Sequence, residues 1–472
     1  MLTSLQPALI VTRREVRDQF RDWRIVFPIV GLTIFFPFLM NFTARAMLDY
    51  VQRYGANIIG ERLVPFLLMI VGFFPISVSL VIALETFVGE KERGSIEPLL
   101  NTPLKDWQLY LGKLLSATVP PLISSFLGMG VYLAGLYIRH ISLPAPGVLA
   151  QIFSLTVVQA VMMVSGAVVI STQATSVRAA NLLASFIVIP AALLIQGESA
   201  VLFLGDFNTL WWVVGGVVVL TVLLVRVGVA HFRREELLGR EIDVLKLSWG
   251  WRTFAAAFVD GARSPGEWYR SSLPRAIARV RIPAAMMFAL ALAGIWVGVG
   301  QSARFPFPAQ IEQFANLGDR LERLVQIWPA FSVQPLLAIW WQNVRALLIS
   351  LVLGALSFGV LGALPVMATM GLVGYFMGNL AAGGVSPWLF LAGLVLPHGL
   401  VEMPAAVLAG AAVLRLGAVL VTPTPGRTIG EVWLAALADW AKLMAGVVMP
   451  LLLAAAAIEV WITPRIAILM LR

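Results

Sequence analysis

The sequence predicts an all-α, polytopic membrane protein, with about eleven transmembrane helices in two dissimilar helical domains and an interfacial amphipathic helix at its N-terminal end. Three observations predict it. Hydrophobic residues make up 59% of the 472-residue chain and charged residues only 12%, where soluble domains carry roughly half and a quarter. The mean hydropathy is +0.88, too high for water to be the main solvent. Apolar runs of about 20 residues, the length needed to cross the hydrocarbon layer, recur along the chain between short charged stretches. The formal charge of +9 could suggest a nucleic-acid partner, but the Arg and Lys residues stand mostly beside the ends of these runs. There they report orientation in the bilayer, not a DNA-binding face.

The composition excludes several chemistries. Absence of cysteine removes disulfides, thiol catalysis and cysteine metal sites. His140, His231 and His398 are too far apart in sequence to suggest a local cluster, so no metal site is expected. An Arg-rich stretch precedes the first long apolar run and no small-residue cleavage site follows it, so the first span is expected to stay in the mature protein.

Over residues 5–24, Arg13, Arg17, Arg21 and Arg24 recur at helical spacing while Leu9, Val16, Phe20 and Trp23 fall on the adjoining face. That pattern suits a helix lying along the membrane surface with its cations among anionic headgroups. Candidate spans follow at 25–44, 64–86, 112–138, 148–172, 179–197 and 209–230. The basic N-terminal stretch, the 87–111 loop, the turn at Arg178 and the basic stretch after His231 all fall on one side, which the positive-inside rule makes the cytoplasm. The opposite connections are short, and the 198–208 loop carries only the acids Glu198 and Asp206.

The connection between the second and third spans runs from Glu85 through Glu90, Lys91, Glu92, Arg93, Gly94, Ser95 and Glu97 to Thr102 and Pro103. Its charges alternate over a short helical stretch, and that fits either a solvated loop or a helix that docks on a soluble partner. Here the sequence resembles the permeases of type-2 ATP-binding-cassette (ABC) exporters. Glu85, Glu90, Glu92, Gly94, Ser95, Glu97, Leu99, Leu100, Thr102, Pro103 and Gly112-Lys113 match that family's loop. The resemblance covers about residues 1–240, including Arg178 with Pro190 and the stretch Phe232 to Leu238. It implies that residues 85–106 contain the element coupling the membrane domain to a nucleotide-binding subunit, with Glu85, Glu90, Glu92, Arg93, Gly94, Glu97 and Pro103 as its coupling residues. No Gly-x-x-x-x-Gly-Lys-Ser/Thr motif occurs, so ATP and magnesium would belong to a separate ATPase polypeptide.

Residues 241–281 read as a basic cytoplasmic linker, with Trp249, Trp251, Trp268 and Tyr269 suited to the headgroup level. Five further spans are expected in the second domain, residues 282–472, at 282–300, 343–363, 365–382, 388–418 and 443–463. No internal repeat relates the halves. Gly371, Gly374 and Gly378 share one helix face, the small-residue pattern that lets membrane helices approach closely.

An ionisable side chain in hydrocarbon costs at least about 2.5 kcal/mol unless it finds a partner or water. His398 and Glu402, four apart just after Pro397, share a helix face, and Glu459 with Asn343 and Arg345 could complete a buried polar cluster. Such a cluster fits a packing network or a conduction or proton pathway. A metalloprotease-like site lacks its second histidine. This half resembles the stage II sporulation protein M family. Asn343-Val-Arg345, the Gly371–Gly378 stretch, Pro397-His398-Gly399-Leu-Val-Glu402 and Ile458-Glu459 carry the resemblance.

Together these readings describe a permease subunit of an ATP-driven exporter, not itself an enzyme and with no cofactor of its own, joined to an accessory membrane domain. Its expected partners are the ABC ATPase subunits, a second copy or another membrane subunit, and the lipid bilayer. Its expected location is the cytoplasmic membrane of a prokaryote, with the N-terminus cytoplasmic. The competing class is a non-transporting scaffold that recruits cell-envelope (peptidoglycan) enzymes.

Overall fold

The computed structural model of the chain describes all residues except 1, 54–56, 95–100, 175, 205–207, 233–246, 307–332, 423, 425–426 and 472. Among the described residues every regular element is helical, and ten helices are long and apolar enough to cross a membrane. Backbone contacts divide the chain into two compact units, Met1–Leu245 and Lys246–Arg472. The chain is thus an all-α, multi-pass membrane protein.

In the first unit α1 (Leu2–Gln19) is followed by α2 (Trp23–Arg53), α3 (Asn57–Glu92), α4 (Asp106–Ile138) and α5 (Pro146–Gln173). The helices α6 (Val177–Leu183), α7 (Ser185–Leu204) and α8 (Thr209–His231) complete it. α3 is the hub, packing on α2, α4, α5, α6 and α7. Phe27, Phe35, Phe38 and Phe42 of α2 are exposed, as suits side chains solvated by lipid and not by protein. Short polar side chains pin the helices to one another through backbone carbonyls. Ser125 Oγ donates to Gly72 O (2.7 Å), and Asn41 Nδ2 donates to Tyr132 O (3.3 Å). Such bonds satisfy buried polar atoms where water is excluded.

The expected span at 179–197 has a different form. The helix is interrupted at Ala184, and the second piece, α7, runs on to Leu204. α7 is 20 residues long, its described apolar stretch is Pro190–Phe203, and it is not among the ten helices that qualify among the described residues. Glu198, expected in an external loop, lies inside α7 and is 1% exposed.

In the second unit α9 (Leu247–Val259) and α10 (265–279) precede the long helices α11 (Arg281–Ser302), α12 (Val333–Leu356), α13 (Leu361–Ala382), α14 (Pro387–Val421) and α15 (Ile429–Trp461). A short α16 (Thr463–Leu471) follows. The segment read from sequence as a linker is therefore helical from Leu247 onward and groups with the second unit. Three of these helices carry a single π-helical turn, Trp268–Ser272 in α10, Leu391–Val395 in α14 and Met444–Val448 in α15. Each is followed two residues later by a proline, Pro274, Pro397 and Pro450. The proline ring crowds the carbonyl four residues back and offers no N–H, so the turn before it widens to five-residue bonds. The N–H groups of Leu273, Leu396 and Met449 accordingly donate to Trp268, Leu391 and Met444.

α11 and α13 meet through glycine. A Cβ added at Gly298 would strike the carbonyl of Gly371, and one at Gly374 would strike that of Ile295. The stripe read from the sequence on α13 is thus matched by Gly294 and Gly298 on its partner. α12 and α13 are joined by a tight turn at 357–360, where Phe358 (φ 52°) and Gly359 (φ 89°) adopt left-handed conformations. The turn rests on Gly417 of α14, where any side chain would collide with Phe358 O.

Candidate functional sites

The cytoplasm-facing loop of the sequence reading begins at the C-terminal end of α3, and a buried cation ties that end to two other helices. Lys113 on α4 has a side chain 1% exposed, and its ammonium contacts Glu15 of α1 at 3.2 Å and Glu90 of α3. The ring of Phe87 lies 6.0 Å from the nitrogen. Gly112 makes this approach possible, since a Cβ there would come within 2.8 Å of Val11 Cβ. Thr12 Oγ1 bridges the same contact by donating to Gly112 O (3.1 Å). A buried cation needs anionic partners to offset its lost hydration, and two carboxylates supply them.

The same end of α3 is tied to the junction of α5 and α6. Ser171 Oγ accepts from the N–H groups of Phe87 (2.9 Å) and Val88 (3.1 Å). Lys91 Nζ donates to Ala174 O (3.3 Å), and the Glu92 carboxylate accepts from Val177 N–H (2.8 Å). Glu85 pairs with Arg93 at 3.8 Å. Gly94, at φ 67°, ends the helix in the left-handed conformation that glycine tolerates best. Pro103 is exposed just ahead of α4. Glu97 lies outside the described residues.

The second unit holds two clusters of ionisable groups. In the first, Asp439 on α15, 2% exposed, is met by Arg279 at the end of α10 (3.1 Å), Arg415 of α14 and Lys442 one turn on (3.0 Å). Lys442 in turn reaches Asp260 (3.6 Å), which also pairs with Arg275 (3.4 Å). Trp268 Nε1 donates to Phe258 O (2.8 Å), closing α10 against α9. In the second cluster His398 and Glu402 of α14 face Glu459 of α15, with one ligating atom from each residue within 4.8 Å of the other two. His398 Nδ1 is 3.3 Å from Thr463 Oγ1. Of the five residues read as a polar cluster, these three come together. Arg345 is exposed and Asn343 partly buried on α12, and among the described residues neither makes a side-chain hydrogen bond or ion pair.

Comparison with known protein families gives one match in each unit. Residues 9–205 match the family model described as ABC-2 family transporter protein. The first unit resembles ABC-2 transporter permeases. Residues 284–464 match the model described as Stage II sporulation protein M. No curated protein matches the chain. The ABC-2-like match takes in α1 together with Glu90, Lys113 and the α5–α6 junction, so the whole ionic knot lies within it. The sporulation-M-like match includes His398, Glu402, Glu459 and Asp439 but begins beyond α10, so Arg275 and Arg279 lie outside it.

Asp439 and Lys442, central to the first cluster, and the buried placement of Glu198 escape a sequence reading. Asp439 and Lys442 sit at i and i+3 inside the apolar stretch leading into Met444, a spacing that signals a same-face pair once the helix is known to begin at Ile429. Glu198 accepts a hydrogen bond from Gln159 Nε2 in the first unit. The apolar residues on both sides of it, through Leu204, are the signal that the helix continues past it.

Proposed function

We propose that this protein is the membrane-spanning subunit of an ATP-driven exporter, in which the loop after α3 docks on separate ABC ATPase subunits. The ionic knot at Lys113 is the observation that carries the reading. A docking loop does mechanical work only if its displacement reaches the spans. Here the end of α3 that leads into the loop is tied through Glu90 and Lys113 to α4 and the surface helix, and through Glu92 and the Phe87 and Val88 amides to the α5–α6 junction. A push on the loop would therefore move five helices together and not one strand of chain. ATP and magnesium belong to the partner, and this chain supplies the pathway. With one ABC-2-like unit matched in the chain, of seven helices beyond α1, two copies form the simplest complete pathway. The cationic face of α1, with Arg13, Arg14 and Arg17 exposed and Arg21 exposed in the turn after it, fits the cytoplasmic surface of a prokaryotic membrane.

The test is association. Glu92→Ala and Glu97→Ala are expected to weaken co-purification of the ATPase subunit in mild detergent while leaving the protein monodisperse. Unchanged association in both variants would remove the loop from the coupling role.

A further inference from the structure

The geometry points to a divalent transition-metal site in the second unit, formed by His398, Glu402 and Glu459. A ring nitrogen and two carboxylates converge from two helices, each offering a ligating atom within 4.8 Å of the others. Ligands around a zinc-sized ion at about 2.1 Å from it stand roughly 3.4 Å apart, so closure asks for side-chain movement on the order of an ångström. All three residues are partly buried, and three ligands leave a fourth coordination position for solvent or a substrate atom. One imidazole and two carboxylates with an open position is a donor set for zinc, manganese or iron(II) and not for copper(I).

Two further observations point the same way. Thr463 Oγ1 donates to Ile458 O (3.2 Å), so its contact with His398 Nδ1 is completed by the ring N–H. That assignment leaves the other ring nitrogen with its lone pair free, the state a metal-binding histidine is held in by an outer hydrogen bond. The second is charge. Among the described residues no Lys or Arg pairs with Glu402 or Glu459, whereas every carboxylate of the Asp439 cluster in the same unit is matched by cations. Two facing carboxylates within apolar spans need positive charge from somewhere, and a divalent ion supplies it. His398 and Glu402, at i and i+4 on the α-helical stretch that begins at Leu396, lie one turn apart on the side facing Glu459. This site departs from the sequence expectation of no metal, which placed His398, Glu402 and Glu459 in a polar cluster and set a metalloprotease-like site aside for want of a second histidine.

The test uses the full-length protein, purified in detergent, stripped with a chelator and exposed to zinc, manganese or cobalt(II). After desalting, one equivalent of zinc or manganese per chain is expected by elemental analysis, and cobalt(II) is expected to give a visible d–d band. Glu402→Gln and Glu459→Gln, which keep side-chain size, should each weaken binding at least tenfold. Thr463→Val, which leaves the three ligands in place, should weaken it by about 10- to 100-fold. A wild-type protein that retains no metal would overturn the proposal, whatever the variants do, and would mean that protons neutralise the cluster. Equal binding by wild type and both Gln variants would also overturn it, by placing the metal elsewhere.

Discussion

Lys113 illustrates how a charge can be enclosed in an otherwise apolar bundle. Its ammonium is reached by Glu15 and Glu90 from two different helices, so removing it strands two carboxylates. Lys113→Met is expected to destabilise the protein by about 3–5 kcal/mol, read as a lowered thermal midpoint in detergent. Combining it with Glu90→Gln should cost less than the two single changes added together, since neighbours in one network are not independent. Additive effects would mean that the contact carries no energy. Asp439 makes the converse case. Asp439→Asn leaves Arg279, Arg415 and Lys442 facing a neutral amide, and a loss of similar size is expected. The sequence exposes such residues unevenly. His398, Glu402 and Glu459 stand out because each interrupts an apolar run, but which of the polar residues they meet depends on helix rotation. Asn343 and Arg345 interrupt a run just as visibly, yet Arg345 is exposed and Asn343 only partly buried.

Most long helices are legible from the sequence because length and hydropathy dictate them. What hydropathy does not carry is where a helix breaks without leaving the apolar phase. Span 179–197 reads as one continuous run, yet the helix restarts after Ala184, so Glu198 falls inside α7 and not after it. The turn at 357–360 lies likewise inside an apolar stretch, where Phe358 and Gly359 take positive φ. Helix pairing follows from close approach, which the glycines do announce. Gly298→Val and Gly374→Leu would each push α11 from α13 and are expected to cost about 1–3 kcal/mol or more, as overpacking does. Gly300→Ala, with nothing near its missing Cβ, should be nearly neutral in the same thermal assay. At the start of α15, Glu431 N–H donates to Thr428 Oγ1 and Thr428 N–H to Glu431 Oε2. Thr428→Ala there should cost about 1 kcal/mol.

For the whole molecule, the sequence and the structure agree on two dissimilar units, one ABC-2-like and one sporulation-M-like. The basic stretch 241–281, read as a linker suited to the headgroup level, carries Arg275 and Arg279, which pair with Asp260 and Asp439 inside the second unit. If the first unit transmits movement from a separate ATPase, purifying the tagged, full-length protein in mild detergent from its own host is expected to recover a stoichiometric ATP-binding subunit, with vanadate-sensitive ATP hydrolysis in the complex. Recovery of envelope hydrolases without any ATP-binding subunit would contradict it and leave the first unit as an anchor.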